Sequence, residues 1–171
     1  MLIFSVPAAY AGIPKFSASF DFDPTSIDNA VFGFKVSAFS NERFWDAKNK
    51  VSTNKKTVPY TYGIGVGAYR TNGEYATQAN EKYVYFSHLV LLFTFPNKSL
   101  FEPFVGIYPG YAWGAKESFF FNPVVGTEVY LFKFSRNFNV DLAKTYFQIR
   151  AEYNTALSTI FAGGGFVFQF F

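Results

Sequence analysis

The chain has 171 residues, half of them hydrophobic and 23% Phe, Trp or Tyr, a length that suits one domain and is short for two. Only 16% of the residues are charged, against about 25% in ordinary soluble domains, and a net charge of +3 is too weak to indicate a nucleic-acid partner. With no cysteine, disulfide frameworks, metal–thiolate sites and Cys nucleophiles are excluded.

Residues 1–11 (MLIFSVPAAYA) are apolar and end in Ala9-Tyr10-Ala11, an A-x-A pattern of the signal-peptidase kind. They read as the remnant of a signal peptide, which leaves 12–171 as a single domain. From there the dominant period is two. In 15–22, Phe16, Ala18, Phe20 and Phe22 alternate with Lys15, Ser17, Ser19 and Asp21. Successive strand side chains point to opposite faces, so one face is apolar and the other polar. Phe32, Phe34, Val36 and Ala38 alternate likewise with Gly33, Lys35 and Ser37. The stretch 42–56 concentrates charge, and its Lys48, Lys50, Lys55 and Lys56 have no aromatic residue among them to stack on a base, so it reads as a solvated loop.

Next, Tyr60, Tyr62, Ile64, Val66 and Ala68 alternate with Thr61, Gly63, Gly65 and Gly67. Residues 83–95 are apolar on both faces, too short to cross a bilayer as a helix and broken by Ser87-His88. Val105, Ile107, Tyr111 and Trp113 share a face opposite Glu102, Gly106 and Gly110. Val125, Val129 and Leu131 oppose Gly126, Glu128 and Tyr130. Phe147, Ile149, Ala151 and Tyr153 alternate with Gln148, Arg150 and Glu152, and the last run sets Phe166, Phe168 and Phe170 on one face. Turn signals separate the runs: Asp23-Pro24 with Asp28-Asn29, Thr71-Asn72-Gly73, Pro96-Asn97-Lys98, Gly114-Ala115-Lys116, Arg136-Asn137 and Asn154. The pattern predicts an all-β chain of eight strands, roughly 13–22, 30–40, 58–70, 82–95, 101–113, 119–134, 144–154 and 160–171. Alternating runs of about ten residues between turns are the signature of an antiparallel up-and-down barrel that spans a membrane.

A soluble lipocalin-like carrier has the same period with apolar side chains inward. The composition of the polar face separates the two. It is rich in Gly, Ser and Thr with a few charges, which suits a narrow lumen, whereas a solvated outer face carries many Lys and Glu. Tyr60, Tyr62, Tyr83, Tyr111, Trp113 and Tyr153 fall near strand ends on the apolar face, where aromatic girdles meet the membrane interfaces.

The chain ends Gly165-Phe166-Val167-Phe168-Gln169-Phe170-Phe171. This resembles the C-terminal assembly signal of bacterial outer-membrane proteins, with Gly165, Phe168 and Phe170 at its marked places and Phe171 following. The late segments Gly126-Thr127-Glu128 and Arg150-Ala151-Glu152-Tyr153 are similar to strands of small barrels of the OmpA-transmembrane, OmpX and OmpW-like kind. The resemblance implies a bacterial outer-membrane location, contact with outer-membrane lipid and with the barrel-assembly machinery, and both termini in the periplasm. That topology puts 23–29, 71–81, 114–118 and 155–159 outside the cell and the long connection 41–57 in the periplasm.

Lys15, Asp21, Lys35, Glu128, Arg150 and Glu152 are the candidates for a charge network in the lumen, where charges persist only when paired. Such a network either fixes strand register or acts in selectivity and gating. His88 is the only histidine. Lipid A deacylases, which are eight-stranded barrels, carry a Ser two residues after their catalytic His, but Val90 stands there in this chain. A structural histidine is therefore expected, with no catalytic residue, metal or cofactor. The resulting expectation is a non-enzymatic outer-membrane barrel serving membrane structure, surface interaction or passage of small or hydrophobic molecules. A lipid-modifying enzyme, an accessory subunit of a larger envelope complex and a soluble carrier are the alternatives.

Overall fold

The structure, a computed structural model, describes residues 13–24, 31–42, 60–71, 82–95, 100–137 and 140–170. They form eight strands: β1 (Ile13–Phe22), β2 (Phe32–Glu42), β3 (Tyr60–Arg70), β4 (Tyr83–Thr94), β5 (Phe101–Gly114), β6 (Ser118–Asn137), β7 (Val140–Asn154) and β8 (Thr159–Phe170). Each strand pairs antiparallel with the next, and β8 returns to β1 to close the barrel. This is the up-and-down barrel that the period of two predicts. Closure leaves no edge strand, so the backbone donors and acceptors along the sheet find partners within it.

Inward and outward side chains alternate around the wall, except where the β6–β7 pairing shifts register. On β1, Lys15, Ser19 and Asp21 are buried while Phe16, Phe20 and Phe22 are exposed. Strand β4 resolves an ambiguity the sequence leaves open. Its burial alternates strictly, with Tyr83, Tyr85, Leu89, Leu91 and Phe93 outward and Val84, Phe86, His88, Val90 and Leu92 inward. Both sets are apolar because they serve different purposes, one covering the outside and the other filling the lumen.

The interior of an eight-stranded barrel is just wide enough for side chains to fill it. Two apolar clusters do so here. One, toward the end opposite the termini, contains Val31, Tyr69, Val84, Phe86, Phe120 and Phe161. The other, toward the end that carries the start of β1 and the end of β8, contains Phe39, Val90, Leu92, Phe104, Tyr108 and Tyr146. The lumen is thus more aromatic than its Gly, Ser and Thr content suggests. The glycines explain how the rings fit. A side chain at Gly33 would strike the ring of Tyr69, one at Gly67 that of Phe86, and one at Gly126 that of Phe104. Each of these three rings lies in the space left by a glycine on an adjoining strand, and Gly33 is the register partner of Tyr69. Gly33→Ala is therefore expected to overpack this layer and lower stability by about 1–3 kcal/mol, read as a shift of the urea unfolding midpoint.

Most strand limits lie within two residues of those read from the sequence. The exception is the β6–β7 hairpin, where the strands continue to Asn137 and resume at Val140. Arg136-Asn137 is consequently strand and not turn, and the pairing there carries several register shifts. At the other extreme, β5 and β6 join through 115–117, with Gly114 at φ 93° supplying the left-handed residue that ends β5. The β4–β5 register runs from His88–Gly110 to Leu91–Ile107 without the two intervening pairs. Pro109 stands in that interval and has no N–H to give. The interval between Glu42 and Tyr60 is the longest between strands, and those two residues stand at the end that carries the start of β1 and the end of β8. Its Lys48, Lys50, Lys55 and Lys56 lie outside the described residues, as do residues 1–11 and Phe171.

Candidate functional site

The structure brings Lys15, Asp21, Lys35, Glu128, Arg150 and Glu152 into one network between and beside the two apolar clusters. All six are buried, with Lys15 2% and Asp21 1% exposed. Period-two alternation on β1, β2, β6 and β7 sends each of them inward. The pairs reach across the lumen and do not simply join neighbouring strands. Lys15 Nζ on β1 lies 2.6 Å from Glu128 Oε2 on β6. Lys35 on β2 pairs with Glu152 on β7 and lies 3.2 Å from Asp21 Oδ2.

Arg150 is the hub. Its Nη2 donates to Asp21 Oδ1 at 2.6 Å and to Ser19 Oγ at 2.8 Å, and its Nη1 donates to Gln148 Oε1 at 2.8 Å. Gln148 passes the chain on to Glu128 through its amide, at 3.5 Å. Asn122 Nδ2 donates to Glu152 Oε1 at 2.7 Å, and the Tyr69 hydroxyl donates to Asp21 Oδ2 at 3.1 Å. Three cations thus face three carboxylates, so the network's charges cancel. The remaining lone pairs are taken up by neutral donors, as buried ion pairs require. Rings of the apolar clusters cap the cations. Lys35 Nζ stands 5.3 Å from the Tyr108 centroid and Lys15 Nζ 4.8 Å from that of Tyr146.

Tyr69, Asn122 and Gln148 are members that local sequence reading does not single out. Tyr69 has a signal in its parity, since it continues the inward row of Gly63, Gly65 and Gly67.

His88 is buried, with its ring 5.0 Å from Tyr108 and 5.7 Å from Phe86. Its Nε2 lies 3.5 Å from Ser37 Oγ, and no protein group bonds Nδ1. Nucleophilic catalysis of the serine type needs a carboxylate on the far imidazole nitrogen to orient it. Among the described residues His88 has no such partner.

The girdle candidates divide between the two ends. Tyr60 and Tyr62 begin β3 at the terminal end. Tyr83, Tyr111, Trp113 and Tyr153 lie toward the opposite end, where Tyr83, Tyr85 and Trp113 form a run of stacked rings. All but the half-buried Tyr60 are exposed. On β8, Gly165 faces Ser19 at the closing seam, while Phe168 and Phe170 point outward. No protein-family model, curated protein or solved structure matches the chain.

Proposed function

We propose that the protein is an integral outer-membrane barrel without enzymatic activity, whose sealed body serves membrane structure and carries its end loops to partners. The observation that carries this reading is the inversion of the usual protein interior. Lys35 and Arg150 are 3% and 5% exposed, while Phe34 and Ile64 on the outside are 52% and 65% exposed. Large outward hydrophobics occur on every strand, whereas soluble monomers rarely expose contiguous apolar patches beyond a few hundred Å². In hydrocarbon that surface is the favourable one, and the closed ladder supplies the backbone bonding that lipid cannot.

Passage through the lumen is the role this interior supports least. An apolar layer lies on either side of a neutral, cross-bonded ion network, which leaves no continuous polar path among the described residues. The chemistry of β8 is consistent with recognition by the barrel-assembly machinery, and outer-membrane lipid is the expected surrounding partner. A larger envelope complex is a further partner that the end loops could engage.

Two measurements test the reading. The folded protein should migrate differently from the boiled protein on detergent gels, and planar bilayers containing it should show no stable large conductance. A chain that stays monodisperse in plain buffer without amphiphile would overturn the membrane assignment. A steady conductance would overturn the sealed lumen.

A further inference from the structure

We propose that the lumen holds one captive water molecule, bound between His88 and Arg150 at the inner face of the terminal-end cluster. A cavity of about 10 Å³ is lined there by Ser17, Ser37, His88, Tyr108 and Arg150 among others. That is enough room to hold a water molecule.

Unmet bonding at this place points to the same ligand. Two of the buried side-chain atoms without a protein partner, His88 Nδ1 and Arg150 Nε, belong to residues lining this cavity. Both residues are 5% exposed, so bulk water does not serve them. The other guanidinium nitrogens of Arg150 are engaged with Gln148, Ser19 and Asp21. Its Nε lies 3.9 Å from Glu152 Oε2, too far for a hydrogen bond. Arg150 Nε–H can only donate. His88 Nδ1 accepts whenever the ring proton sits on Nε2 and faces Ser37 Oγ. A water oxygen takes the first bond and one of its hydrogens makes the second, leaving the other hydrogen for a neighbouring hydroxyl. This gives the water the two to four polar partners typical of buried sites.

Charge favours a neutral occupant. The cations that line the cavity, Lys35 and Arg150, are already matched by Asp21 and Glu152. A halide would leave one uncompensated negative charge in a dry interior. A metal cation would confront ammonium and guanidinium groups. The captive character rests on the sealed-lumen reading, because apolar clusters on both sides bar exchange with bulk water.

The test uses the full chain, isotopically labelled and folded in lipid nanodiscs, with nuclear Overhauser contacts measured between water and the His88 ring protons. A contact of the sign given by long-lived water is expected there and at the ring protons of Tyr108, which lines the same cavity, and the Tyr108 contact should vanish in His88→Phe, whose folding is checked by heat-modifiable gel migration. The wild-type measurement stands alone if that variant does not fold. No water contact, a contact of the sign given by rapidly exchanging water, or an anomalous bromide peak at the site in soaked crystals would each overturn the proposal. A missing contact together with silent bilayers would remove the site and leave the sealed lumen intact. Rapidly exchanging water together with a steady conductance would remove both.

Discussion

Replacing Arg150 with leucine is expected to destabilise the barrel by about 3–5 kcal/mol, the range found when one partner of a buried ion pair is removed. The guanidinium bonds Asp21, Ser19 and Gln148 at once, and in doing so ties β7 to β1 across the closing strand β8. Leucine replaces much of its volume and none of its donors. Asp21, 1% exposed, would keep Lys35 and the Tyr69 hydroxyl but lose its closest partner, and the network would be left with a net negative charge. Arg150→Lys is not a mild control, because one ammonium cannot span three acceptors held by a planar fork. The informative control is the double variant Arg150→Leu with Asp21→Asn. Removing both charges of the pair should cost less than the sum of the single changes, with a coupling of about 0.5–3 kcal/mol. Urea unfolding in lipid vesicles, followed by Trp fluorescence, gives both quantities. A loss below about 1 kcal/mol for Arg150→Leu is the value expected of solvent-exposed ion pairs. It would mean that the lumen is wet and that the seal described above is absent.

How far the sequence discloses this arrangement depends on what each strand has to hide. Over 15–22 on β1 and 32–38 on β2 the outward residues are apolar and the inward ones are Lys, Ser, Asp and Gly, so alternation alone assigns both faces and selects Lys15, Asp21 and Lys35. On β4 the inward residues Val84, Phe86, Val90 and Leu92 resemble the outward ones, and no local pattern can tell which face is which. The missing information is non-local. Tyr69 can point inward because Gly33 lies opposite it on β2, and Phe104 can do so beside Gly126 on β6. A reading that follows one strand at a time sees glycine as a sign of a small-residue lumen, when its effect is to make room for a neighbour's ring. The same limit applies to the network. Its six charged members are legible because each alternates with mainly apolar residues of the opposite face. Asn122 and Gln148 are ordinary polar residues until register places them against Glu152 and Glu128. The β6–β7 hairpin escaped for a different reason. Arg136-Asn137 has turn chemistry, but the ladder partners available on β7 keep β6 extended through it.

Val66→Arg is expected to cost about 2–4 kcal/mol if the outer face meets hydrocarbon, while an arginine near a membrane interface costs about 0–1 kcal/mol. Val66 lies near the middle of β3, 52% exposed, with Val36 and Ser87 as its register partners on either side. The interface comparison is Tyr83→Arg, at the first residue of β4 and 48% exposed. The two sites have nearly equal exposure, so a barrel surrounded by water would give nearly equal and small effects, within about 0.5 kcal/mol. A bilayer makes them unequal, because its dielectric changes with depth and an arginine at mid-strand cannot carry its charge to the interface without distorting lipid. The native chain already follows this rule on β3. Its outward cation, Arg70, is the last residue of that strand, placed 5.8 Å from the Phe32 ring, and the outward positions below it are Ala68, Val66 and Ile64. Unfolding both variants from vesicles gives the difference directly. A gap of at least about 1 kcal/mol, with Val66→Arg the weaker protein, is the expected result. Equal stabilities would remove the bilayer from the account and leave the exposed Phe, Ile and Leu side chains to be covered by some other partner.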